Sequence, residues 1–484
     1  MKRSIAILGV LCLLFINTTT SYVQAQTISI STNKTDKSDK SESSKNLWPD
    51  NQPNVSSDAA IVMDASTGAI LYSKNIHKTY YPASITKILT ALLTIENSSL
   101  GETVTFSKNA VYDVDLDSSR IGIDVGEKLT VEQCLYGIML ESANEVSYAV
   151  AEHVAGSVDA FADLMNEKAK ELGCTDSHFA NPHGLPDENH YTSAYDMALI
   201  SRAAINNDLF RKITGTRTYA IPPTNLQKDT RYLANHHKFI KGDIPFDGAI
   251  GGKTGYTSKA LYTLVTFAKR DGLTLISVIM HCDSIEHEYS DTASLLNYGF
   301  DNFSIYNIAD MEDPNTEDST SLFTKYSPLF SKTTSQLQIS PKGNIVLPNS
   351  ADYKDAKKEI VLTPIDKVVE GENVIGTIKY TYGDTYVGSA DIIYNNVVSD
   401  NPLNESFIPS PAVIPKDQSN GAANHADNSS NLKPIIIGII VGCILIGFSL
   451  YIILVEIPFR KRRKSYLEKR GSKKHKHKKD YIDF

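Results

Sequence analysis

Short apolar runs and helical periods divide the larger part of the chain into a strand–helix–strand pattern. Runs at 60–64 and 69–72 flank a Ser-Thr-Gly turn and predict a β-hairpin. Runs at 261–268 and 273–281 flank an Arg-Asp-Gly turn and predict a second strand pair. We therefore expect an α/β (α+β) domain at 58–305, with a sheet built from both ends of the domain and flanked by helices. The predicted helices lie near 131–139, 145–154, 158–172 and 193–206.

Residues 321–398 have a different pattern, in which short β-rich runs alternate with turn sequences. This pattern predicts a small all-β domain, and no catalytic set of residues stands out in it. The prolines and polar residues of 399–433 indicate an extended stalk. The predicted strands lie at 337–339, 345–347, 360–362, 374–382 and 386–394.

The N-terminus has the pattern of a secretory signal peptide. A basic start is followed by an apolar run at 5–16 and by Val23-Gln24-Ala25, a small-residue cleavage site, so we assign residues 1–25 to the signal. An uncleaved anchor is the alternative, although the run is short for a bilayer span. The polar composition of 26–57 predicts a flexible lead-in.

The C-terminal region has the pattern of a membrane anchor. Residues 435–455 form an uncharged apolar run of 21 residues, which is long enough for a transmembrane helix. Residues 456–484 carry a net charge of +8, whereas the whole chain carries −8. By the positive-inside rule this tail is cytoplasmic and the domains before it lie outside. A basic cluster is also found in nucleic-acid-binding proteins, but its place directly behind the span favours contact with anionic lipid.

Five cysteines are present, and Cys134, Cys174 and Cys282 lie outside the signal and the span. Three cysteines permit one disulfide at most, and Cys134 shares a helical apolar stripe with Leu135 and Ile138. We therefore expect buried free thiols. No Cys/His cluster has the spacing of zinc ligands, so we predict neither a metal nor a cofactor.

Three short motifs in a fixed order carry the candidate chemistry. They are Ser84-Ile85-Thr86-Lys87, Ser142-Ala143-Asn144 and Lys253-Thr254-Gly255. The first follows Pro82 and opens an apolar helical run, which would place Ser84 at a helix N-terminus and Lys87 on the same face. A serine hydroxyl needs a base before it acts as a nucleophile, and a lysine with a lowered pKa can be that base. The order matches a motif set found in penicillin-binding proteins and class A β-lactamases.

The other two motifs supply groups for a substrate. Ser142 can relay a proton, and the Asn144 amide can orient a peptide bond. Lys253 and Thr254 can bind a carboxylate with a cation and a hydroxyl. The glycines of 250–255 are expected to let a ligand lie close to the backbone.

Each motif alone is weak evidence for an active site. Ser31 and Lys34 repeat the first spacing in a polar segment, and Ser399-Asp400-Asn401 repeats the second motif after Lys253. A Ser/His/Asp triad that uses His183 and Asp187 is a rival interpretation. No G-x-S-x-G elbow places a serine for it, so a structural loop at 181–184 is favoured.

With its three motifs, the chain resembles the low-molecular-mass penicillin-binding proteins, the serine D-alanyl-D-alanine carboxypeptidases of peptidase family S11. The resemblance covers roughly 58–300 and includes Asp64–Gly68, Asn181–Leu185 and Leu275–Val278. It implies a penicillin-binding/β-lactamase-like fold, a substrate peptide ending in D-Ala-D-Ala and covalent inhibition by β-lactams. In such a protein the membrane-anchored catalytic domain faces the bacterial cell wall.

The resemblance also implies roles for individual residues. Ser84 would be acylated, Lys87 would be the base, and Lys253 and Thr254 would hold the terminal carboxylate. The backbone N–H groups of Ser84 and Tyr256 would form the oxyanion hole. A class A β-lactamase would in addition need a Glu-x-x-Leu-Asn stretch, which is absent between Asn144 and Lys253. A wall-binding scaffold with a silent site is the non-enzymatic alternative.

Overall fold

The computed structural model describes residues 47–115, 117–312, 337–363 and 368–396. The two predicted strand pairs and one further strand form a five-stranded antiparallel sheet in the order β2-β1-β9-β8-β7. The N-terminal hairpin therefore lies beside the last strand of the domain, and the expected sheet built from both ends is confirmed. Its strands are β1 (Ala59–Asp64), β2 (Ile70–Lys74), β7 (Ala249–Thr257), β8 (Leu261–Arg270) and β9 (Leu273–Cys282).

Helices fill the chain between β2 and β7, and all four predicted helical segments are helices. Two short strand pairs accompany them: β3 (Thr103–Thr105) with β4 (Lys128–Thr130), and β5 (Thr218–Ile221) with β6 (Arg231–Ala234). A 3₁₀ turn at Ala83–Thr86 leads into the first helix. The helices are α1 (Lys87–Asn97), α2 (Lys108–Tyr112), α3 (Val131–Leu140), α4 (Asn144–Ala155), α5 (Val158–Glu171), α6 (Ala194–Ile205), α7 (Asp208–Thr214), α8 (Lys238–Lys241), α9 (Ile285–Asn302) and α10 (Ile308–Met311).

The ends of the helices follow the capping rules. Thr130 and Gln133 form a reciprocal capping box at the start of α3. The Ser157 side chain accepts a hydrogen bond from Ala160 N and begins α5. Gly173 follows the end of α5 at φ +86°, a conformation that glycine adopts without strain.

The sheet is buried on both faces because helices pack on each side of it, and successive residues of β1 point to opposite sides. Ile61 and Met63 pack in the larger core with α1, whereas Ala60 and Val62 pack in a second core with α9. Helix α1 is buried along most of its length, as its nearly continuous apolar sequence predicts. This burial places the residues at the start of α1 next to the sheet.

The three described cysteines are free thiols. Cys134 and Cys282 are buried, as expected, and burial raises the pKa of both thiols. Cys174 is only partly buried, so the expectation of burial was wrong for this residue. Its Sγ contacts the Asp196 carbonyl at 3.6 Å, in the first turn of α6.

A six-stranded antiparallel sheet forms in the C-terminal part of the described chain, in the order β10-β12-β15-β14-β13, with β11 beside β15. All five predicted runs are strands in it. The sheet also includes Phe303–Asn307, a strand that was not predicted and that begins directly after α9. Its strands are β10 (Phe303–Asn307), β11 (Leu337–Ile339), β12 (Asn344–Pro348), β13 (Lys357–Leu362), β14 (Gly371–Tyr382) and β15 (Thr385–Asn396).

Part of the predicted flexible lead-in is packed on the domain. Trp48 Nε1 donates to the Leu71 carbonyl at 3.0 Å, and Ser57 Oγ donates to Asp291 Oδ2 at 2.7 Å. The prediction was therefore wrong for 47–57, because Trp48 and the buried Val55 give this polar segment apolar anchors.

Several predicted segments lie outside the described residues: the signal peptide 1–25, most of the lead-in, the stalk 399–433, the span 435–455 and the tail 456–484. The Ser31/Lys34 and Ser399-Asp400-Asn401 repeats lie outside them as well. Within the described ranges, none of the helices combines the length and the apolar character that crossing a bilayer requires.

Candidate active site

Ser84 lies in the 3₁₀ turn that precedes α1, on the wall of a cleft of about 390 Å³. The residue before it, Ala83, has φ +52°, a conformation that costs a non-glycine residue about 1–3 kcal/mol. The Thr263 hydroxyl on β8 donates to the Pro82 carbonyl at 2.9 Å and ties this turn to the sheet. The sequence predicted Ser84 at the start of the α-helix, whereas the regular helix begins at Lys87.

Two glycines allow the Ser84 turn to lie where it does. A Cβ at Gly184 would lie 1.9 Å from the Ala83 carbonyl oxygen. A Cβ at Gly255 would lie 2.8 Å from the Ser84 backbone nitrogen. Only glycine permits such close backbone approach, so the loop at 181–184 and strand β7 both pack against the backbone of Ala83 and Ser84.

Lys87 is fully buried and lies directly behind Ser84. Its Nζ is 3.0 Å from Ser84 Oγ, 2.6 Å from Asn144 Oδ1 and 2.5 Å from the His183 carbonyl oxygen. Burial lowers the pKa of Lys87 well below its usual range, and the nearby Lys253 lowers it further. A neutral amine in hydrogen-bond contact with a serine hydroxyl can accept its proton.

Ser142 and Asn144 enter the cleft from the chain that leads into α4. Ser142 has φ +59°, and its buried Oγ has no hydrogen-bond partner in the described residues. Asn144 is held by a hydrogen bond from its backbone N to the Ser119 carbonyl at 2.9 Å. Because Lys87 occupies the Asn144 Oδ1, the NH₂ group is the part of this amide left for a substrate carbonyl.

Lys253 is buried on β7, with its Nζ 2.9 Å from the Thr254 carbonyl oxygen. Burial lowers the pKa of Lys253 to about 7, although Glu141 opposes the shift. Thr254 and Gly255, the next residues on the strand, line the cleft. The third motif therefore contributes the backbone of β7 and the Thr254 hydroxyl to the cleft wall. The Lys253 amine, which is partly charged near neutral pH, lies behind them.

Protein atoms occupy the space beside the two glycines that precede Lys253. The expectation that these glycines let a ligand lie close to the backbone was therefore wrong. A Cβ at Gly251 would lie 2.4 Å from Thr214 Cγ2. A Cβ at Gly252 would lie 2.2 Å from the Val265 carbonyl oxygen and 2.5 Å from the His237 ring. These positions are small because α7 and the chain before α8 press against the inner part of β7.

The structure brings the three motifs to one cleft. Tyr256 is 58% exposed at the outer end of β7, with its ring centroid 4.7 Å from that of Tyr262. Lys87 and Lys253 are buried behind the surface. The predicted residues on the cleft wall are Ser84, Ser142, Asn144, Thr254, Gly255 and Tyr256.

His183 and Asp187 do not form a triad with Ser84. The His183 Nδ1 accepts a hydrogen bond from Leu185 N at 3.2 Å, and the exposed Asp187 accepts one from Asn189 N at 2.8 Å. Burial lowers the pKa of His183 well below its usual range, and Lys87 adds to this effect. The loop's contribution to the site is the His183 carbonyl that holds Lys87.

One part of the cleft wall was not predicted from the sequence. This wall includes His236, Tyr262, Glu288 and Tyr289, which come from separate elements and share no motif. The other buried glutamate near the site, Glu145, accepts hydrogen bonds from the backbone N–H groups of Ile121 at 2.7 Å and Gly122 at 3.2 Å. In the described ranges, no group of three or more His, Cys, Asp or Glu is arranged to hold a metal ion.

Comparisons with known proteins agree with the motifs. The family model for D-alanyl-D-alanine carboxypeptidase, peptidase family S11, matches residues 47–284. The D-alanyl-D-alanine carboxypeptidase DacF of Bacillus subtilis is 34% identical over 247 residues, which are 51% of this chain and 62% of that protein. The D-alanyl-D-alanine carboxypeptidase of Streptomyces sp. strain K15 is 32% identical over 259 residues, 51% of this chain and 89% of that protein.

Solved structures align with the same half of the chain. The Streptomyces K15 DD-transpeptidase is 32% identical, with 52% of this chain and 99% of that chain covered at a TM-score of 0.49. This chain thus spans less than two thirds of the Bacillus subtilis relative and nearly all of the Streptomyces one. The resemblance predicted from the three motifs is confirmed, and the chain belongs to the D-alanyl-D-alanine carboxypeptidase family, peptidase family S11.

Proposed function

We propose that this protein is a serine-type D-Ala-D-Ala carboxypeptidase that removes the terminal D-alanine from peptidoglycan stem pentapeptides. The observation that carries the proposal is the 3.0 Å contact between Ser84 Oγ and the buried Lys87 Nζ on the wall of an open cleft. The family relatives, named as D-alanyl-D-alanine carboxypeptidases, support the substrate class.

In the first half-reaction, neutral Lys87 takes the proton of Ser84 Oγ, and Oγ attacks the carbonyl carbon between the two D-alanines. The backbone N–H groups of Ser84 and Tyr256 stabilise the oxyanion that develops. The C–N bond then breaks as Ser142 gives its hydroxyl proton to the leaving amine and takes up the proton that Lys87 received from Ser84. Free D-alanine departs, and Lys87 is neutral again. Ser84 remains esterified to the shortened peptide.

In the second half-reaction, water attacks the ester carbonyl after losing a proton to Lys87. The ester bond breaks, and the proton returns to Ser84 Oγ as the shortened peptide leaves with a new carboxylate. The Asn144 NH₂ group positions the peptide, and Thr254 with Lys253 holds the terminal carboxylate before cleavage. No cofactor is needed for these steps.

The same site explains the proposed covalent inhibition by β-lactams. Attack of Ser84 Oγ on the cyclic amide opens the ring, and the amine that would leave stays tethered to the acyl group. The adduct therefore stays on the enzyme until water hydrolyses the ester. A β-lactamase would hydrolyse it quickly with a water activated by a glutamate, and the Glu-x-x-Leu-Asn stretch that carries this glutamate is absent between Asn144 and Lys253.

We also propose that the enzyme is a single-pass protein of the bacterial cell membrane with its catalytic domain on the wall side. The support is the sequence alone: the signal pattern at 1–25, the apolar run at 435–455 and the basic tail at 456–484. The tail contacts anionic lipid and not nucleic acid, and the stalk at 399–433 sets the reach to the wall.

Release of D-alanine from a pentapeptide ending in D-Ala-D-Ala tests the activity. The wild-type protein is expected to release one D-alanine per peptide, and Ser84→Ala is expected to release none. Ser290→Ala, an exposed serine on α9, is the matched control and should retain full activity. Equal release by Ser84→Ala and the wild type would contradict the proposal, and release of no D-alanine by the wild type would favour the silent scaffold.

A further inference from the structure

Glu288 lies at the start of α9 and lines the same cleft as Ser84 and Thr254. Its side chain is almost completely buried, with a relative exposure of 2%, and its Oε2 has no hydrogen-bond partner in the described residues. A buried polar atom without a partner destabilises the fold unless something else satisfies it. A carboxyl of this kind on the wall of a substrate cleft points to contact with the substrate.

The charges around Glu288 come from several elements. Lys238 on α8 favours its ionised form, whereas Glu286 on its own helix opposes ionisation. His236 and Tyr289 line the cleft beside it, and Lys253 is buried behind Thr254. Burial outweighs the attraction of Lys238 and raises the pKa of Glu288 to about 8. At neutral pH the carboxyl is therefore mostly an uncharged acid with one O–H donor.

We propose that Glu288 is a specificity-determining residue that binds the C-terminal carboxylate of the substrate as a neutral acid, through an O–H···O⁻ hydrogen bond. The inference rests on the proposed function, because the D-alanine terminus supplies the carboxylate. Hydrogen bonds from a hydroxyl to a carboxylate are short and strong, and they need no second cation in the cleft. A carboxylate next to Glu288 also keeps Glu288 protonated.

Glu288 would make acceptance of a substrate with a free terminal carboxylate depend on pH. When Glu288 ionises, its negative charge repels the substrate carboxylate within a poorly solvated cleft. Acceptance of the free acid then falls with rising pH, while a substrate with a terminal carboxamide, which carries no charge, is little affected. Glu288→Gln removes the ionisation and retains a hydrogen-bond donor of nearly the same shape.

The test compares the full-length protein with Glu288→Gln between pH 6 and 10, with peptides ending in D-Ala-D-Ala as the free acid or as the carboxamide. Glu167→Gln, at an exposed glutamate on α5 that does not line this cleft, is the control. The readout is kcat/KM for release of the terminal residue, since its pH dependence reports groups of the free enzyme. Titration of Lys253 occurs in all three proteins and cancels in the ratio of variant to wild type.

For the free acid, the ratio of Glu288→Gln to wild type is expected to rise above pH 8 and to reach roughly tenfold at pH 9. For Glu288→Gln on the carboxamide, and for Glu167→Gln on either substrate, the ratio should stay level. A level ratio for Glu288→Gln on both substrates would overturn the proposal. So would a selective loss on the carboxamide, because Glu288 would then accept a hydrogen bond from the substrate.

Two further measurements distinguish a failure of this proposal from a failure of the proposed function and from misfolding of the variant. The rate of Ser84 acylation by a penicillin and by its methyl ester gives the same acid-to-neutral comparison without D-alanine release. If the protein is acylated but releases no D-alanine, the proposed function is contradicted. The acylation rates with the penicillin and its methyl ester still test the role of Glu288. If Glu288→Gln does not fold, the preference of the wild type for the acid ligand over the neutral one is measured against pH. The proposal requires this preference to fall further above pH 8, and a preference that stays constant there would overturn it.

Discussion

Gly255 and Ser84 lie so close that a Cβ on the glycine would stand 2.8 Å from the backbone nitrogen of the serine. The same Cβ would lie 2.4 Å from the Thr263 hydroxyl, which in turn holds the Pro82 carbonyl at 2.9 Å. The last residue of the third motif and the first residue of the first motif are therefore parts of one packed unit. This contact fixes the edge of β7 beside Ser84, the proposed nucleophile.

Gly255→Ala should therefore displace β7 from Ser84 and slow acylation by penicillin. A displacement on the order of 1 Å in a catalytic arrangement costs about 100-fold in rate, and we expect a loss of that size. The measurement is the second-order acylation rate, followed with a labelled penicillin. Gly101→Ala is the control, because a Cβ there meets nothing within 4 Å. Equal rates for the two variants would show that the contact does not position the nucleophile.

The sequence predicted the site well where one motif residue touches another, and less well where the partner is a backbone atom. The Ser84–Lys87 contact follows from a spacing of three residues on one helical face, and the structure contains it. The His183 carbonyl that holds Lys87 has no side-chain signature, so the loop at 181–184 read as structural only. The role of Gly255 likewise depends on a non-local approach that no local pattern encodes.

The fold, like the site, was predicted where the sequence has a local pattern and missed where non-local contacts decide the structure. Strands and helices with a strong local period were predicted, and so was the pairing of the N-terminal hairpin with the last strands of the domain. The packed segment at 47–57 was missed, because two apolar side chains within a polar stretch outweigh its composition. Glu288 was missed because α9 meets the cleft only after the chain has folded, and a glutamate in a helix carries no signal of burial.

Lys87→Ala should lose acylation by about 10²–10⁴-fold, since no other base contacts Ser84 Oγ in the described residues. The pKa of Lys87 is held well below its usual range by burial and by Lys253, so the neutral base is lost only as the pH falls through that lowered value. Acylation of the wild type should therefore decline on the acid side. A Lys87→Ala variant with wild-type rates and the same acid limb would remove Lys87 from the role of base.

Lys253 should make recognition of the substrate carboxylate depend on pH in the opposite direction. Its pKa is lowered to about 7, so the amine loses its positive charge as the pH rises through 7. Between pH 6 and 8 the preference for the free acid over the carboxamide should fall by roughly tenfold. In Lys253→Gln this fall should disappear, while Lys238→Gln should retain it. Paired kcat/KM measurements on the two substrates provide the check, and a pH-independent preference in the wild type would contradict the assignment.

The proposed topology can be tested in cells. Protease added to intact, wall-stripped cells should release the domain that contains Ser84 and spare an epitope tag placed after Phe484. The reason is the charge asymmetry across the run at 435–455, from which the positive-inside rule predicts a cytoplasmic tail. A cytoplasmic marker protein that stays intact is the control for membrane integrity. Digestion of the tag under those conditions would reverse the orientation and remove the proposed contact between the tail and anionic lipid.

The central claim is that Ser84, activated by Lys87, is the nucleophile. Intact-protein mass spectrometry after incubation with a penicillin, followed by peptide mapping, tests it most directly. A single adduct with the mass of the whole penicillin is expected on the peptide that contains Ser84, and no adduct is expected on Ser84→Ala. An adduct on any other residue, or undiminished labelling of Ser84→Ala, would contradict it.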